Sequence, residues 1–301
     1  MNSRLLHYSR RLATEFGPLI APMYKLRAGS NTIYVPGYLR EAPFLVRDWK
    51  TSWKTEVLRQ HISGKTGVFI DVGANIGTTL LDFVAIAGNQ SQYIGFEPNP
   101  ASARIVTALI ETNKLVNASL VPAGLSNRSG LLELSTRPGH PSDAAATLLE
   151  SVRPGWLYER QWVSCFRFSD IADDLKINTI SFVKIDVEGA ELLVLQGMKE
   201  RLLQSRPPIL CEVLHRDKDA DPRAYSLHLS ELEGFLAEIR YSIYRVDGTK
   251  DGMSVSYSPC SAFPDVIFTS ESFYLCDYLL LPAEQRLGAT PSAHQIRSTK
   301  G

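Results

Sequence analysis

The chain has 301 residues, of which 44% are apolar and 21% charged, and its 32 Lys and Arg balance its 32 Asp and Glu. This composition is typical of a soluble globular protein, and the absence of long runs of like charge argues against a nucleic-acid-binding segment. Four cysteines without CxxC spacing and no run of 18 apolar residues argue against a zinc site, a disulfide framework and a membrane span, so we expect a cytoplasmic protein.

The first 62 residues predict an N-terminal extension. Residues Arg4 to Phe16 have apolar side chains at helical spacing, which is typical of a short amphipathic helix. Thr32 to Val35 and Phe44 to Val46 are short β-like runs between proline and glycine residues. We therefore expect residues 1–62 to form a helix and an irregular hairpin lid, and residues 284–301 to form a flexible tail.

A glycine turn follows the first strong strand pattern. Val68 to Asp71 is an apolar run that ends in a carboxylate, and Gly73, Asn75 and Gly77 come next. Glycine and asparagine accept a left-handed backbone, so the turn can bring main chain close to a ligand. The spacing matches neither a P-loop, which needs a lysine after the glycines, nor the GxGxxG dinucleotide fingerprint.

Residues 63–283 alternate apolar strands with amphipathic helices. This alternation predicts an α/β domain with about seven mostly parallel strands and helices on both faces of the sheet. An irregular insertion, rich in proline, glycine and tryptophan, interrupts the alternation at about residues 128–168. The predicted strands are 68–71, 93–96, 120–123, 180–186, 208–213, 241–246 and 266–269.

Acidic residues recur at the ends of the predicted parallel strands. They are Asp71, Glu97, Asp186 and Glu212. Because the carboxyl ends of parallel strands meet at one edge of a sheet, we expect these side chains to face one ligand crevice. Glu97 lies 24 residues after Gly73, at the end of the next strand, where a carboxylate accepts hydrogen bonds from ribose hydroxyls.

The fourth predicted strand carries charge on one side. Its two-residue period places Lys184, Asp186 and Glu188 on the same face. Charged groups on a central strand are costly unless they are paired or face a polar cavity. These three residues are therefore catalytic candidates, with a simple ion pair as the alternative for Lys184.

Four ordered motifs stand out: DVGANIGTT from Asp71, FEPNP from Phe96, AGLSNRSG from Ala123 and FVKIDVEGAELLVLQG from Phe182. They resemble the motifs of FkbM family methyltransferases, which have the class I methyltransferase fold, a Rossmann-like α/β sheet. The resemblance covers about residues 44–215. It implies an enzyme that binds S-adenosyl-L-methionine and transfers its methyl group, usually to a hydroxyl oxygen, with a small molecule or a glycan as the acceptor.

The implied cofactor site combines the glycine turn with the ends of the second and third strands. The turn would hold the methionine end, Glu97 the ribose, and the loop from Gly124 to Ser126 the adenine. The predicted cofactor-binding residues are Asp71, Gly73, Ala74, Asn75, Gly77, Glu97, Pro98, Leu125 and Ser126.

The base that removes the acceptor proton has two candidates. His215 follows the fifth strand and has an ordinary pKa suited to neutral pH, whereas Asp186 lies at the expected crevice. We expect no metal, because Lys184 competes for the carboxylates that could bind Mg²⁺. A nicotinamide-dependent oxidoreductase and a non-catalytic binding module remain the alternative functions.

Overall fold

A computed structural model describes residues 22–86, 91–248, 254–269 and 272–285. An eight-stranded sheet forms its centre, in the order β12-β11-β13-β10-β9-β3-β4-β5. Strands β3, β4, β5, β9 and β10 are parallel, and β13 is antiparallel to both of its neighbours. The strands are β3 (Gly67–Val72), β4 (Ser91–Phe96), β5 (Ala118–Val121), β9 (Ile180–Ile185), β10 (Ile209–Glu212), β11 (Tyr241–Gly248), β12 (Val255–Cys260) and β13 (Asp277–Pro282).

Helices cover both faces of this sheet. The helices are α1 (Ala42–Asp48), α2 (Trp53–Ile62), α3 (Thr78–Ile86), α4 (Pro100–Thr112), α5 (Phe168–Ile171), α6 (Glu191–Ser205) and α7 (Pro222–Glu238). Alternate side chains of β3 enter different cores: Ile70 packs with α5, α6 and α7, whereas Phe69 packs with α2, α3 and α4. The predicted α/β domain, with a mostly parallel central sheet and helices on both faces, is confirmed. Within the described residues, no helix combines the length and apolar character needed to cross a bilayer.

The N-terminal segment packs against the domain. Strands β1 (Met23–Ala28) and β2 (Asn31–Pro36) form a hairpin whose buried residues join the core of α3 and α4. The prediction of a β run at 44–46 was wrong, because these residues belong to α1, where Pro43 occupies the first turn. The predicted helix at 4–16 and most of the predicted tail lie outside the described residues, and the lid role remains a prediction.

The insertion is more regular than predicted. Strands β7 (Gly130–Thr136) and β8 (Glu159–Phe166) pair antiparallel, and the two-residue β6 (Gly124–Leu125) completes a small second sheet. Residues 137–158 connect β7 to β8 and pass over the carboxyl ends of the central strands. The insertion thus supplies one wall above the expected crevice.

One predicted strand was wrong. Residues 266–269 make only an isolated bridge, between Ile267 and Arg216, and Ile267 and Phe268 are largely exposed. The antiparallel position between β10 and β11 is taken instead by the wholly buried β13.

Candidate active site

The turn after β3 has the predicted backbone. Gly73, Asn75 and Gly77 all have positive φ, of 82°, 46° and 91°. A Cβ on Gly73 would lie 1.9 Å from the carbonyl oxygen of Asp186, so only glycine lets the turn approach the end of β9 this closely. Gly77 instead packs against α4, where a Cβ would lie 3.1 Å from Leu109.

Glu97 follows β4 and is bonded to the turn. One carboxylate oxygen accepts the backbone N–H of Asn75 at 2.7 Å, and the other accepts that of Asn99 at 2.8 Å. Glu97 is 5% exposed, and this burial raises its pKa to about 7 against the opposing effect of the two N–H donors. Since each carboxylate oxygen can accept a second hydrogen bond, both oxygens keep capacity for a ligand.

Asp71 lies behind the crevice rather than in it. It is 0% exposed, accepts the hydroxyl of Tyr93 at 2.6 Å and lies 3.6 Å from the Lys184 ammonium. Burial raises the pKa of Asp71, although Lys184 opposes this. The expectation that Asp71 emerges into a ligand crevice was wrong, because its side chain points to the same face as Phe69.

Lys184 joins the turn to the end of β9. Its ammonium lies 3.1 Å from a carboxylate oxygen of Asp186 and donates to the carbonyl of Gly73 at 3.3 Å. Lys184 is buried, whereas the Asp186 side chain keeps 26% of its surface exposed. The predicted ion pair of Lys184 is therefore present, and Asp186 is the member that faces the open space.

A second lysine, on α2, reaches two neighbouring carboxylates. Lys54 lies 3.5 Å from Asp277 at the start of β13 and 4.0 Å from Glu212 at the end of β10. Burial raises the pKa of Glu212 to about 9, and the charge of Asp186 acts in the same direction. Burial also disfavours ionisation of Asp186, but Lys184 and Lys54 outweigh it and hold the pKa of Asp186 below its ordinary value. At neutral pH Asp186 is ionised and Glu212 carries a proton.

Glu188 occupies a left-handed turn just after β9, with φ of 57°. Its carboxylate pairs with the Arg153 guanidinium. Burial and the nearby Asp186 charge raise the pKa of Glu188 to about 7 despite this pairing. Lys184, Asp186 and Glu188 therefore lie around one space, but only the first two share an ion pair.

Part of the insertion, residues 137–146, closes over the glycine turn. The Asn99 amide donates to the carbonyl of Pro141 at 2.8 Å, and the Asn75 amide donates to that of Asp143 at 3.4 Å. The Arg137 guanidinium donates to the buried Asp143 carboxylate at 3.0 Å, which fixes the segment internally. The same two asparagines, Asn75 and Asn99, donate their backbone N–H groups to the Glu97 carboxylate, so the segment is anchored beside Glu97.

Residues 147–154, which we call the strap, run across the turn at 188–189. The Thr147 hydroxyl donates to the carbonyl of Glu188 at 2.8 Å, and Arg153 pairs with its carboxylate. Val152 packs on Gly189, where a Cβ would lie 2.3 Å from the valine side chain. The strap is therefore held on this turn by one ion pair, one hydrogen bond and one close contact.

A cleft of about 430 Å³ lies within the described structure. It is enclosed by the glycine turn, the ends of the parallel strands, residues 137–146 and the strap. Its size suits a nucleoside-containing ligand. Of the predicted site residues, those that line it are Gly73, Ala74, Asn75, Glu97, Pro98, Leu125, Lys184, Asp186 and Glu188. Ser126 does not line it, because Ser126 is buried with its carbonyl against Gly197 of α6.

His215 does not reach the cleft. It is 5% exposed and lines a second cavity, on the other side of the strap. Its expected position at the crevice rim was wrong, since the chain turns after β10 and directs the side chain towards α7. Burial lowers the pKa of His215, so the ring is neutral at physiological pH.

Three residues at the cleft were missed by sequence reasoning. Lys54 and Arg153 line it, and Asp277 holds Lys54. Lys54 lies on the helix before the glycine turn, Asp277 lies on a strand far beyond it, and Arg153 lies in the insertion, which had no recognisable pattern. No local signal in the sequence could have identified them.

The known proteins to which this chain is similar are described as methyltransferases. A family model described as the methyltransferase FkbM domain matches residues 71–243. Hexuronic acid methyltransferase AglP of Haloferax volcanii is 28% identical over 222 residues, which cover 73% of this chain and 84% of AglP. The 2-O-methyltransferase NoeI of Sinorhizobium fredii is 27% identical over 149 residues, which cover 46% of this chain but only 60% of NoeI.

Among solved structures, a methyltransferase FkbM from Methylobacillus flagellatus superimposes with a TM-score of 0.48 and 16% identity. The match covers 79% of this chain and 50% of that protein.

Proposed function

Because the chain belongs to the FkbM methyltransferase family, we propose that it is an S-adenosyl-L-methionine-dependent enzyme that methylates a hydroxyl oxygen of a small molecule or glycan. The names of AglP and NoeI, a hexuronic acid methyltransferase and a 2-O-methyltransferase, support this class of acceptor. Membership of this family argues against a nicotinamide-dependent oxidoreductase. That alternative also explains the burial of Asp71 no better than the methyltransferase function does.

The observation that carries the cofactor proposal is the position of Glu97. Its carboxylate lies in the cleft wall, bonded to Asn75 and Asn99 through one oxygen each, and both oxygens can accept one more donor. A ribose presents two adjacent hydroxyls that match this capacity. Leu125 and Phe96 offer apolar surface for the adenine, and the backbone of Gly73 and its neighbours would hold the methionine end.

S-adenosyl-L-methionine supplies an electrophilic methyl carbon bound to a sulfonium cation. Within this chain, Asp186 provides the negative charge that faces the cleft, and Lys184 fixes its orientation against the carbonyl of Gly73. Charge interactions are stronger in a partly enclosed cleft than in bulk solvent. The residues therefore favour a cation in the cleft and hold one carboxylate ready for the acceptor.

Asp186 is the residue that we propose accepts the hydroxyl proton. His215 lies in another cavity, Glu188 is held by Arg153, and Glu212 is already protonated at neutral pH. A base of low pKa gives limited proton-transfer driving force, so most of the rate should come from positioning the acceptor. Since Asp186 is ionised throughout the physiological range, it should impose no pH dependence on turnover above pH 5.

Two measurements test the proposal. Calorimetry with S-adenosylhomocysteine should show binding, and labelled S-adenosyl-L-methionine should transfer its methyl group to a fraction of extract from the source cell. Asp186→Asn should lower turnover, whereas the matched surface variant Asp174→Asn should not. A folded protein that binds no S-adenosylhomocysteine would refute the cofactor, and binding without transfer to any fraction would favour a non-catalytic module.

A further inference from the structure

A second cavity lies across the strap from the cleft and has a volume of about 450 Å³. It is bounded by the strap, the turn at Gly189, the segment after β10 and the first turns of α7. Cavities of this size accept small organic ligands. Nothing in the proposed cofactor site uses this space.

Most of the wall area of the second cavity is apolar, although Ser151, Arg216, Asp219 and His228 also line it. The Tyr225 hydroxyl donates to the carbonyl of Leu214 at 2.9 Å, and Asp221 accepts the backbone N–H of Arg223 at the start of α7. Glu191 accepts the N–H of Gly189. The apolar lining residues include Leu149, Val152, Pro154, Val213, Leu214 and Ala224.

Among the buried polar groups of this lining, His215 is the exception. It is 5% exposed, it lines the cavity, and neither ring nitrogen makes a hydrogen bond within the described structure. The carbonyl of Leu275 lies near the ring without hydrogen-bond geometry. A buried polar group without a partner is destabilising, so the position favours a ligand that supplies one. A neutral imidazole can both donate to and accept from a hydroxyl.

The two spaces are separated by a thin wall. Along the strap, Arg153 faces the cleft and its neighbour Val152 faces the second cavity. In the turn below it, Glu188 faces the cleft and its neighbour Gly189 faces the second cavity. The wall is the contact of Val152 with Gly189 and the ion pair of Arg153 with Glu188. Movement of these two strap side chains would join the cavity to the space beside Asp186.

We propose, on the premise of the methyltransferase function above, that the second cavity binds the apolar ring body of the methyl acceptor, with one hydroxyl of that body hydrogen-bonded to His215 and a different hydroxyl, the one that is methylated, placed beside Asp186. The apolar wall area matches such a body. A bare sugar would leave several hydroxyls unpaired against the apolar walls, which disfavours its binding. The strap is then the partition between acceptor and cofactor.

The test uses 2-naphthol as the apolar alcohol and methyl α-D-glucopyranoside as the sugar. Each is titrated into histidine-labelled protein, with and without S-adenosylhomocysteine, and the imidazole signal of His215 is followed by NMR, assigned through His215→Gln. We expect 2-naphthol to shift this signal and to bind about tenfold more tightly than the glucoside, or more.

Matched variants on α7 locate the binding. Ala224→Phe fills the cavity and should weaken 2-naphthol binding about tenfold or more, whereas Ala237→Phe, on an exposed position of the same helix, should not. An unmoved His215 signal, tighter binding of the glucoside, or equal losses in the two variants would overturn the proposal. These outcomes are read without turnover, so they are distinct from a failure to bind S-adenosylhomocysteine, which would overturn the proposed function instead.

Discussion

Replacement of Glu97 by glutamine tests the cofactor site most directly. Glutamine keeps the size of the side chain but has one acceptor oxygen, and its NH₂ group must face one of the two backbone N–H donors, of Asn75 or Asn99. A hydrogen bond to a charged group contributes about 1.5–3 kcal/mol. Losing the hydrogen bond to one ribose hydroxyl and weakening the bond to the other should cost about 2–4 kcal/mol. This cost corresponds to roughly 30- to 700-fold weaker binding of S-adenosylhomocysteine.

The same residue predicts how binding depends on pH. Burial raises the pKa of Glu97 to about 7, and the ionised carboxylate is the form that accepts two hydroxyls. Wild-type affinity should therefore fall by up to about tenfold for each pH unit below 7 and level off above it. Glu97→Gln should lose this slope.

Calorimetric titrations at pH 6, 7 and 8 measure both effects. Glu191→Gln is the matched control, because Glu191 is also buried with a pKa raised to about 7 by burial but does not line the cleft. An affinity of Glu97→Gln within about threefold of wild type, less than 1 kcal/mol, would refute the assigned role. A wild-type affinity that does not change from pH 6 to 8 would refute the link to the carboxylate.

Three further predictions concern stability, the turn and metal ions. Burial raises the pKa of Asp82 to about 7, so ionisation of Asp82 destabilises the fold as pH rises from about 4 to 7. The Asp82→Asn variant keeps the oxygen that accepts the Thr55 hydroxyl. Urea denaturation should show it to be more stable than wild type at pH 8 by up to about 4 kcal/mol and similar to wild type at pH 4. Gly73→Ala places a Cβ against the Asp186 carbonyl and should abolish S-adenosylhomocysteine binding, whereas Gly64→Ala, with positive φ but open space, should cost only about 1–2 kcal/mol of stability and leave binding unchanged. Turnover should persist in EDTA, since Lys184 and Lys54 compete with a metal ion for Asp186 and Glu212; loss of activity that Mg²⁺ restores would contradict this.

The sequence predicted what depends on local pattern. The left-handed turn at Gly73 and Asn75 and the place of Glu97 follow from residue types whose backbone preferences are strong and from the two-residue strand period. The same reasoning failed for α1, because Pro43 was taken as a breaker although proline is well tolerated in the first turn of a helix.

What the sequence could not give was the direction of side chains and the pairing of distant elements. Asp71 is the last residue but one of its strand, and the parity that puts it on the same face as Phe69 also buries it completely. Lys54 and Asp277 meet only because α2 and β13 are brought together by the folded sheet. His215 has the expected position in the chain, yet the path after β10 takes it to the other cavity.

The placement of β13 has a consequence for how the protein acquires its site during synthesis. Among the described strands of the central sheet, β13 is the last in the chain, yet it lies between β10 and β11 and pairs Asp277 directly with Glu212. Until β13 has emerged from the ribosome, β10 has an open edge, and Lys54 lacks its nearer carboxylate. The ion pair that holds Lys54 at the cleft is therefore completed by the last described strand of the sheet, so a nascent chain that can already form the glycine turn still lacks this pair.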